Sequence, residues 1–458
     1  MNQKLTLLIV LSAALILGIV YIYIIPPWQS PDEPTHFEYA KVLAQGAPPW
    51  APQPSHDLQK TIIVSLDRHD YWRYVGEDRP SPLPTTFRET PFLFFAPTQI
   101  GKNPPLYYLL ASLVLRLSPP HSVEGELYRL RIISLIFSVL TVGTVWACAA
   151  EIFGRSSPIC PAAAAITALL PQFIVIGTSV SPDPCINLFG AVAIYLVLRF
   201  QKRGFTFSRI LFLLLWHGIG LLINYKFLIL ILALPGVALI HFSRHRTGTL
   251  PLEKLILWSG LIVSMLILSY SGLVWYFPGT ARIFVVRVNI LYSTLAAFVT
   301  GRTYFPVGFW HWFNSELFKS FWMKYGWLKY ELPPIFYLIL KIATLAGLAG
   351  IALFLGRWIL RSDKLTSGAR EGILTLLLYA AVTLGAYYLF WGIKGANTTT
   401  QGRHLFLVMP AWAILFVFGW CQFFPNRFQK KVSISLTTGF AILNIIAIFH
   451  IISTYGIN

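Results

Sequence analysis

Two adjacent carboxylates, Asp32 and Glu33, follow the first long apolar run within Pro27-Trp28-Gln29-Ser30-Pro31-Asp32-Glu33-Pro34-Thr35-His36-Phe37-Glu38-Tyr39-Ala40. A third, Asp183, stands between prolines in Ser179-Val180-Ser181-Pro182-Asp183-Pro184-Cys185. Neighbouring acids shielded from water raise one another's proton affinity, and so can supply a general base near neutrality. A hydroxyl nucleophile arriving there would lose its proton to Asp32. A structural reading stands beside this one. Ser30 as N-cap, Pro31 at the first helical position and Glu33 reaching back form a capping box, and Asp183 fits a turn. The balance is shifted by Lys102, Arg131, Lys226, Lys394 and Arg403, which the topology derived below places on the same face as the acids. Cations at a bilayer surface hold lipid phosphates, at about 1 kcal/mol each when diffuse and more when they converge. Acids and phosphate-binding cations on one face point to transfer chemistry on a lipid phosphate.

The elements that must position these groups are membrane helices. Of 458 residues, 56% are hydrophobic and 12% charged, against roughly 25% charged in a soluble domain, and the mean hydropathy is +0.64. Soluble enzymes, secreted disulfide scaffolds and disordered chains are excluded. A hydrocarbon core about 30 Å thick takes roughly 20 apolar residues per helix. Runs of about that size predict eleven spans near 5–25, 132–152, 158–178, 185–200, 209–224, 227–243, 255–276, 334–356, 372–392, 404–423 and 432–454. The chain therefore reads as a single all-α integral membrane domain over residues 1–458. Pro105 to Leu117 is short for a span and reads as an interfacial helix.

That assignment puts Lys4, Arg155, the Arg199/Lys202/Arg203/Arg209 group, Arg244/Arg246/Lys254, Arg357/Arg361/Lys364/Arg370 and Arg427/Lys430/Lys431 on one side. By the positive-inside rule that side is the cytoplasm. Orientation thus accounts for most of the net charge of +18, from 36 Lys+Arg against 18 Asp+Glu, and no nucleic-acid partner is implied. Two long connections, 26–131 and 277–333, fall outside, and loops of such length usually carry function. Their aromatic stretches, Phe309-Trp310-His311-Trp312 and Phe321-Trp322 through Trp327, read as surface helices, with Trp322 and Trp327 as membrane-belt residues. Four scattered cysteines form neither a disulfide framework nor a metal motif. The N-terminal run extends to Ile25 and ends in Pro26-Pro27-Trp28 without a small-residue cleavage site, so it reads as an uncleaved first span.

The acidic pair after the first span, Pro104-Pro105-Leu106-Tyr107-Tyr108 and Asp183 in the next outer loop resemble the C-type glycosyltransferases, polytopic enzymes that use polyprenyl-phosphate sugars. The fuller pattern is similar to a largely uncharacterised bacterial membrane family within that group. It comprises Ser30 to Tyr39, Pro104 to Leu110, Arg131-Ile132-Ile133-Ser134, Pro171 followed by Asp183, Phe321-Trp322 to Gly326-Trp327, and Gln401-Gly402-Arg403-His404. The resemblance implies a multi-pass protein of the bacterial inner membrane with a cytoplasmic N-terminus and an outward-facing site. There Asp32 deprotonates an acceptor hydroxyl while Glu33 and Asp183 position acceptor or sugar. The hydroxyl attacks the anomeric carbon in line, inverts it and expels polyprenyl phosphate.

Lys102 and Arg403, with Lys226 and Arg131, are the implied donor-phosphate ligands, and His36, Asn103, Tyr107, Tyr108, Gln401 and His404 the implied substrate contacts. No cofactor is required, and a divalent metal is compatible with the pattern. The implied partners are a polyprenyl-phosphate-linked sugar, a lipid, glycan or protein acceptor, and membrane lipids. Two positions depart from the family pattern. Asn103 stands directly before Pro-Pro where relatives have Lys or His, with Lys102 one residue earlier, and His404 stands where relatives have an aromatic residue. A transporter or flippase for lipid-linked sugars is the rival reading, and it would place acids near mid-membrane. No predicted span has one there, and Glu151 and Glu371 lie at cytoplasmic ends. A non-catalytic binding subunit would keep the cations without needing Asp32.

Overall fold

The computed structural model describes residues 3–90, 93, 98–117, 122–244, 308–360, 365–389 and 400–456. Lys394, the expected span 255–276 and positions 277–307 of the second long loop lie outside the described residues. The first apolar run forms α1 (Gln3–Ile24). The long loop after it carries α2 (Glu33–Ala44), α3 (His56–Arg68), the short α4 (Tyr71–Val75) and α5 (Leu106–Leu117), the last a 12-residue helix on the segment expected to lie at the interface. Next come α6 (Val123–Phe153), α7 (Ile159–Leu169), α8 (Pro171–Gly177), α9 (Asp183–Arg203), α10 (Phe207–Ile223) and α11 (Leu228–Arg244). After the second loop follow α12 (Phe309–Trp322), an antiparallel hairpin pairing β1 (Lys324–Tyr325) with β2 (Tyr330–Glu331), α13 (Pro334–Ile359) and α14 (Ser367–Tyr387). A 3-10 helix (Gly402–Val408) leads into α15 (Met409–Cys421), and α16 (Gln429–Tyr455) ends the described chain.

The helices are explained by lipid as solvent. Leu8, Ile16, Ile335, Leu338, Ile342 and Leu345 stay exposed on α1 and α13, as befits faces turned to acyl chains. Where helices meet, small residues let backbones approach. A Cβ on Gly350 of α13 would stand 1.8 Å from the carbonyl oxygen of Gly419 in α15, so only glycine fits there.

Among the described residues, eight helical segments are long and apolar enough to cross a membrane, and α7 with α8 makes a ninth if the bent pair is one span. The eleven expected spans are therefore not all found. The run 158–178 breaks by 63° before Pro171, whose ring and missing N–H disrupt a helix. The run 209–224 becomes the 17-residue α10, about 26 Å long and short of the hydrocarbon thickness.

The first loop also ends earlier than expected. Ser122 caps α6 by accepting from the Gly125 N–H, and Glu124 and Glu126 sit in its first turn, all favourable at a helix N-terminus. The resulting 31-residue helix is about 46 Å long, well beyond the hydrocarbon core. It therefore carries Arg131 on its extension rather than in a loop.

Trp322 is not a membrane-belt residue: it is buried between Phe416 and Phe440, with ring centroids 6.2 and 5.8 Å away. Trp327 is only partly buried, and its indole donates to the Trp28 carbonyl at 3.0 Å. The second loop is thereby tied to the turn before Asp32.

Candidate active site

The site begins with the unsatisfied carbonyls at the end of α1, the usual orphans of a helix C-terminus. Arg131 reaches across from α6 and donates to the carbonyls of Ile22 (3.1 Å), Ile25 (2.7 Å) and Pro26 (3.0 Å). It also grips Glu33 bidentately, Nε to Oε1 at 3.0 Å and Nη2 to Oε2 at 2.7 Å. Glu33 accepts a further bond from the Val180 N–H at 3.1 Å, joining α2 to the connection before α9. Both side chains are buried, at 1% and 0% exposure.

These contacts overturn two expectations. Glu33 does not reach back in a capping box, because α2 begins at Glu33 itself and its carboxylate is paired with Arg131. Arg131 is committed to that carboxylate and three carbonyls, so the geometry makes it and Glu33 a scaffold instead of a phosphate ligand and a substrate-positioning acid.

The scaffold supports a constrained turn. Trp28 and Asp32 both take positive φ, 71° and 61°, a region non-glycine residues seldom occupy. Trp28 is fully buried and is held at both ends, its indole donating to Ser65 Oγ at 2.9 Å and its carbonyl accepting from Trp327. The Thr35 hydroxyl donates to the Asp32 carbonyl at 2.9 Å. So held, Asp32 presents a carboxylate that caps nothing and keeps 28% of its side chain exposed.

Arg403 meets that carboxylate, and Asp183 and Lys226 extend the cluster from two further segments. Arg403 Nη2 lies 3.3 Å from Asp32 Oδ2, and Arg403 Nε lies 3.5 Å from Asp183 Oδ2. The other oxygen of Asp183 accepts from Lys226 Nζ at 2.8 Å. Asp183 opens α9, and Lys226 sits in the 3-10 turn (Tyr225–Phe227) between α10 and α11, where Asn224 accepts its backbone N–H at 3.0 Å. Arg403 is set by its neighbours. The Gly402 N–H donates to Ser320 Oγ at 2.8 Å, and a Cβ on Gly402 would come within 2.3 Å of the Phe321 backbone nitrogen.

Lys102 is half-buried nearby. Burial lowers its pKa while the charge of Asp32 acts to raise it. Asn103 donates to Gln99 Oε1 at 2.7 Å, and Gln99 in turn donates to the Thr35 hydroxyl at 3.2 Å, so Asn103 braces the Asp32 turn. His36 shares its Nδ1 with the Tyr108 hydroxyl at 2.7 Å. Burial pushes its pKa down to about 4 despite the opposing charges of Asp32 and Asp183, leaving the ring neutral at physiological pH. Tyr108 stacks on Tyr39 at 3.9 Å and meets Tyr107 edge-on. The Gln401 N–H donates to the Tyr387 hydroxyl at 2.7 Å, and His404 lies against the same ring.

Tyr387, Ser320, Gln99 and Thr35 were not legible as site residues. Thr35 at least lies inside the acidic motif. A cleft of about 470 Å³ between α3 and α6 is lined by Lys60, Thr61, Val64, Ser65, Arg68, Ser122, Val123 and Glu124, none of which belongs to this cluster. Chemistry, not cavity size, marks the site: one accessible carboxylate, one buried carboxylate and three cations.

Glu38, two residues beyond His36, links the loop segments around this centre. It accepts from Gln59 Nε2 at 2.7 Å and the Ser55 N–H at 3.2 Å, with the Thr98 hydroxyl 3.5 Å away. Burial raises its pKa to about 7. For an acid raised in the folded state, the fold binds more protons than the unfolded chain, so stability falls as pH rises from about 4.5 to about 7. Glu38→Gln imitates the protonated acid and should flatten this dependence, which amounts to at most about 3 kcal/mol. Thermal unfolding in detergent between pH 5 and 8 measures it; parallel slopes for both proteins would contradict the assignment.

Solved structures share this architecture. Over 97% of this chain and 56% of its own, the apo oligosaccharyltransferase of Archaeoglobus fulgidus matches at 13% identity with a TM-score of 0.54. The same protein in complex with Zn and sulfate matches over 96% and 53%, at 13% identity and a TM-score of 0.52. The chain thus spans about half the length of that oligosaccharyltransferase. ArnT from Cupriavidus metallidurans, bound to undecaprenyl phosphate, matches over 97% of this chain and 72% of its own, at 14% identity and a TM-score of 0.47. The fold is that of the C-type glycosyltransferases, on a polytopic membrane protein. By sequence the chain belongs to the family of predicted membrane proteins DUF2142, whose profile matches residues 15–412. No curated protein matches it.

Proposed function

We propose that this protein is a membrane glycosyltransferase that moves a sugar from a polyprenyl-phosphate donor to an acceptor hydroxyl with inversion. The observation that carries the reading is the accessible Asp32 carboxylate beside Arg403, in a cluster completed by Asp183 and Lys226. Asp32 takes the acceptor proton as the new C–O bond forms. The donor's C–O bond breaks and polyprenyl phosphate leaves with the electron pair, its charge met by Arg403, Lys226 and Lys102. Asp183 holds the two nearer cations in place, and neutral His36 with Tyr108 offers hydrogen bonds to the sugar. The acceptor is a hydroxyl on a lipid, a glycan or a protein.

The remote helix ends, where Arg155, Lys202, Arg203, Arg209, Arg357 and Arg427 lie, support an extracytoplasmic site in the bacterial inner membrane. The test is transfer by the purified protein in proteoliposomes supplied with polyprenyl-phosphate sugars, guided by envelope glycans that change when the gene is deleted. No release of polyprenyl phosphate from any donor in a broad panel would count against the reading. Arg403→Ala should weaken polyprenyl-phosphate binding by about 10- to 100-fold, the value of a charge-assisted hydrogen bond. Equal affinity in a direct lipid-binding assay would remove Arg403 from the donor site.

A further inference from the structure

Two carboxylates facing a common point are the usual beginning of a divalent-cation site. We propose that here Arg403 stands where such an ion would sit, as a resident cation joining Asp32 to Asp183, so that the cluster receives a phosphate group without a metal. The inference rests on reading this cluster as the donor site.

The fit of a metal fails on the donor atoms. Asp32 Oδ2 and Asp183 Oδ2 both face the Arg403 guanidinium, at 3.3 and 3.5 Å, and Asp183 Oδ1 accepts from Lys226 Nζ at 2.8 Å. Three of the four carboxylate oxygens therefore face protein cations. A divalent ion needs oxygen ligands at roughly 2.0–2.6 Å, and it would have to displace the guanidinium and sit beside the ammonium of Lys226. Further ligands are also committed elsewhere. Glu33 is held by Arg131, and His36 Nδ1 is shared with Tyr108. Among the described residues no three His, Cys, Asp or Glu side chains gather around one point as ligands.

The guanidinium suits the place it takes. It is planar, always charged and able to serve two oxyanions at once. The Gly402 contacts with Ser320 and Phe321 fix its backbone. A phosphate oxygen arriving at this cluster finds N–H donors already assembled, and their charge does not depend on metal supply.

The test is a titration of the full-length protein in detergent with Mn²⁺, followed by electron paramagnetic resonance, with no donor present. Wild type, Asp32→Asn and Asp183→Asn should bind Mn²⁺ alike, showing no site that depends on these carboxylates. Arg403→Ala, alone or with Lys226→Met, should bind Mn²⁺ about 10- to 100-fold tighter than wild type, the scale on which a metal site responds to its surroundings. Adding Asp183→Asn should abolish that gain, and Arg403→Lys, which keeps a cation, should stay at the wild-type level. Wild-type Mn²⁺ binding that is lost in Asp32→Asn or Asp183→Asn would overturn the proposal, as would no gain in either Arg403→Ala protein. The wild-type comparison stands even where an Arg403 variant misfolds. Because no sugar donor is used, failure here leaves the transferase reading to its own assay, and a failed transfer assay leaves the metal result legible.

Discussion

If the transferase reading holds, Asp32→Asn should lower sugar transfer by about 10²- to 10⁴-fold, the usual contribution of a positioned general base, while expression and donor binding should stay near wild type. The substitution removes the proton acceptor and little else. Asparagine is among the few residues that tolerate positive φ, so the turn at φ 61° survives. The amide oxygen can still accept from Arg403, and Asp183 with Lys226 is untouched. Alanine would be a poorer test, because it strains the left-handed backbone as well as deleting the carboxylate. The measurement is release of polyprenyl phosphate under single-turnover conditions, with lipid binding assayed in parallel. Transfer by Asp32→Asn at the wild-type rate would sink the general-base assignment. Retained donor binding with lost transfer would also favour the transferase reading over a non-catalytic binding subunit, which has no use for the carboxylate.

A second large effect is expected in stability. Glu33→Gln or Arg131→Met alone should destabilise the protein by about 3–5 kcal/mol, because each leaves an uncompensated charge in a dry site. The double substitution should recover part of the loss, since neither ion then remains unpaired. It should not recover all of it. The carbonyls of Ile22 and Ile25 also depend on the guanidinium, and buried acceptors without donors are destabilising. Reversible unfolding in mixed micelles measures the three variants. Single substitutions within about 1 kcal/mol of wild type, the range of surface pairs, would show that the pair is not buried as described.

What could be read from the sequence alone follows from how far apart the partners lie. The class of fold was legible because hydropathy is local, and Asp32, Asp183 and Arg403 were legible as candidates because their motifs are short. Arg131 and Lys226 looked alike on the same basis, both cations on the face opposite the cytoplasmic clusters. Their difference is rotational and long-range. Arg131 faces α1 and a carboxylate 98 residues earlier in the chain, whereas Lys226 meets Asp183 from 43 residues away.

The capping box failed for the same reason: Ser30 through Glu33 has the right local spacing, but the ion pair outweighs the cap. The start of α6 was misjudged because Glu124, Glu126, Arg129 and Arg131 lower the local hydropathy, although the helix passes through all of them. Trp322 illustrates a further limit, since an aromatic in a loop sequence carries no sign of whether lipid or protein surrounds it.

The link between Glu33 and Arg131 also bears on how the protein is made. Ribosomes deliver α1 first, the 98-residue first loop next and α6 last. Until position 131 emerges, Glu33 lacks its Arg131 counterion and the Ile22 and Ile25 carbonyls lack the guanidinium that donates to them. The turn that presents Asp32 therefore cannot settle during insertion of the first helix. It can begin to lock only when the second arrives, with the bonds from Val180 and Trp327 added later, which makes α1, the loop and α6 the first unit of its biogenesis. A nascent chain halted before position 131 should carry its first loop open to protease, and one halted well beyond α6 should have it closed.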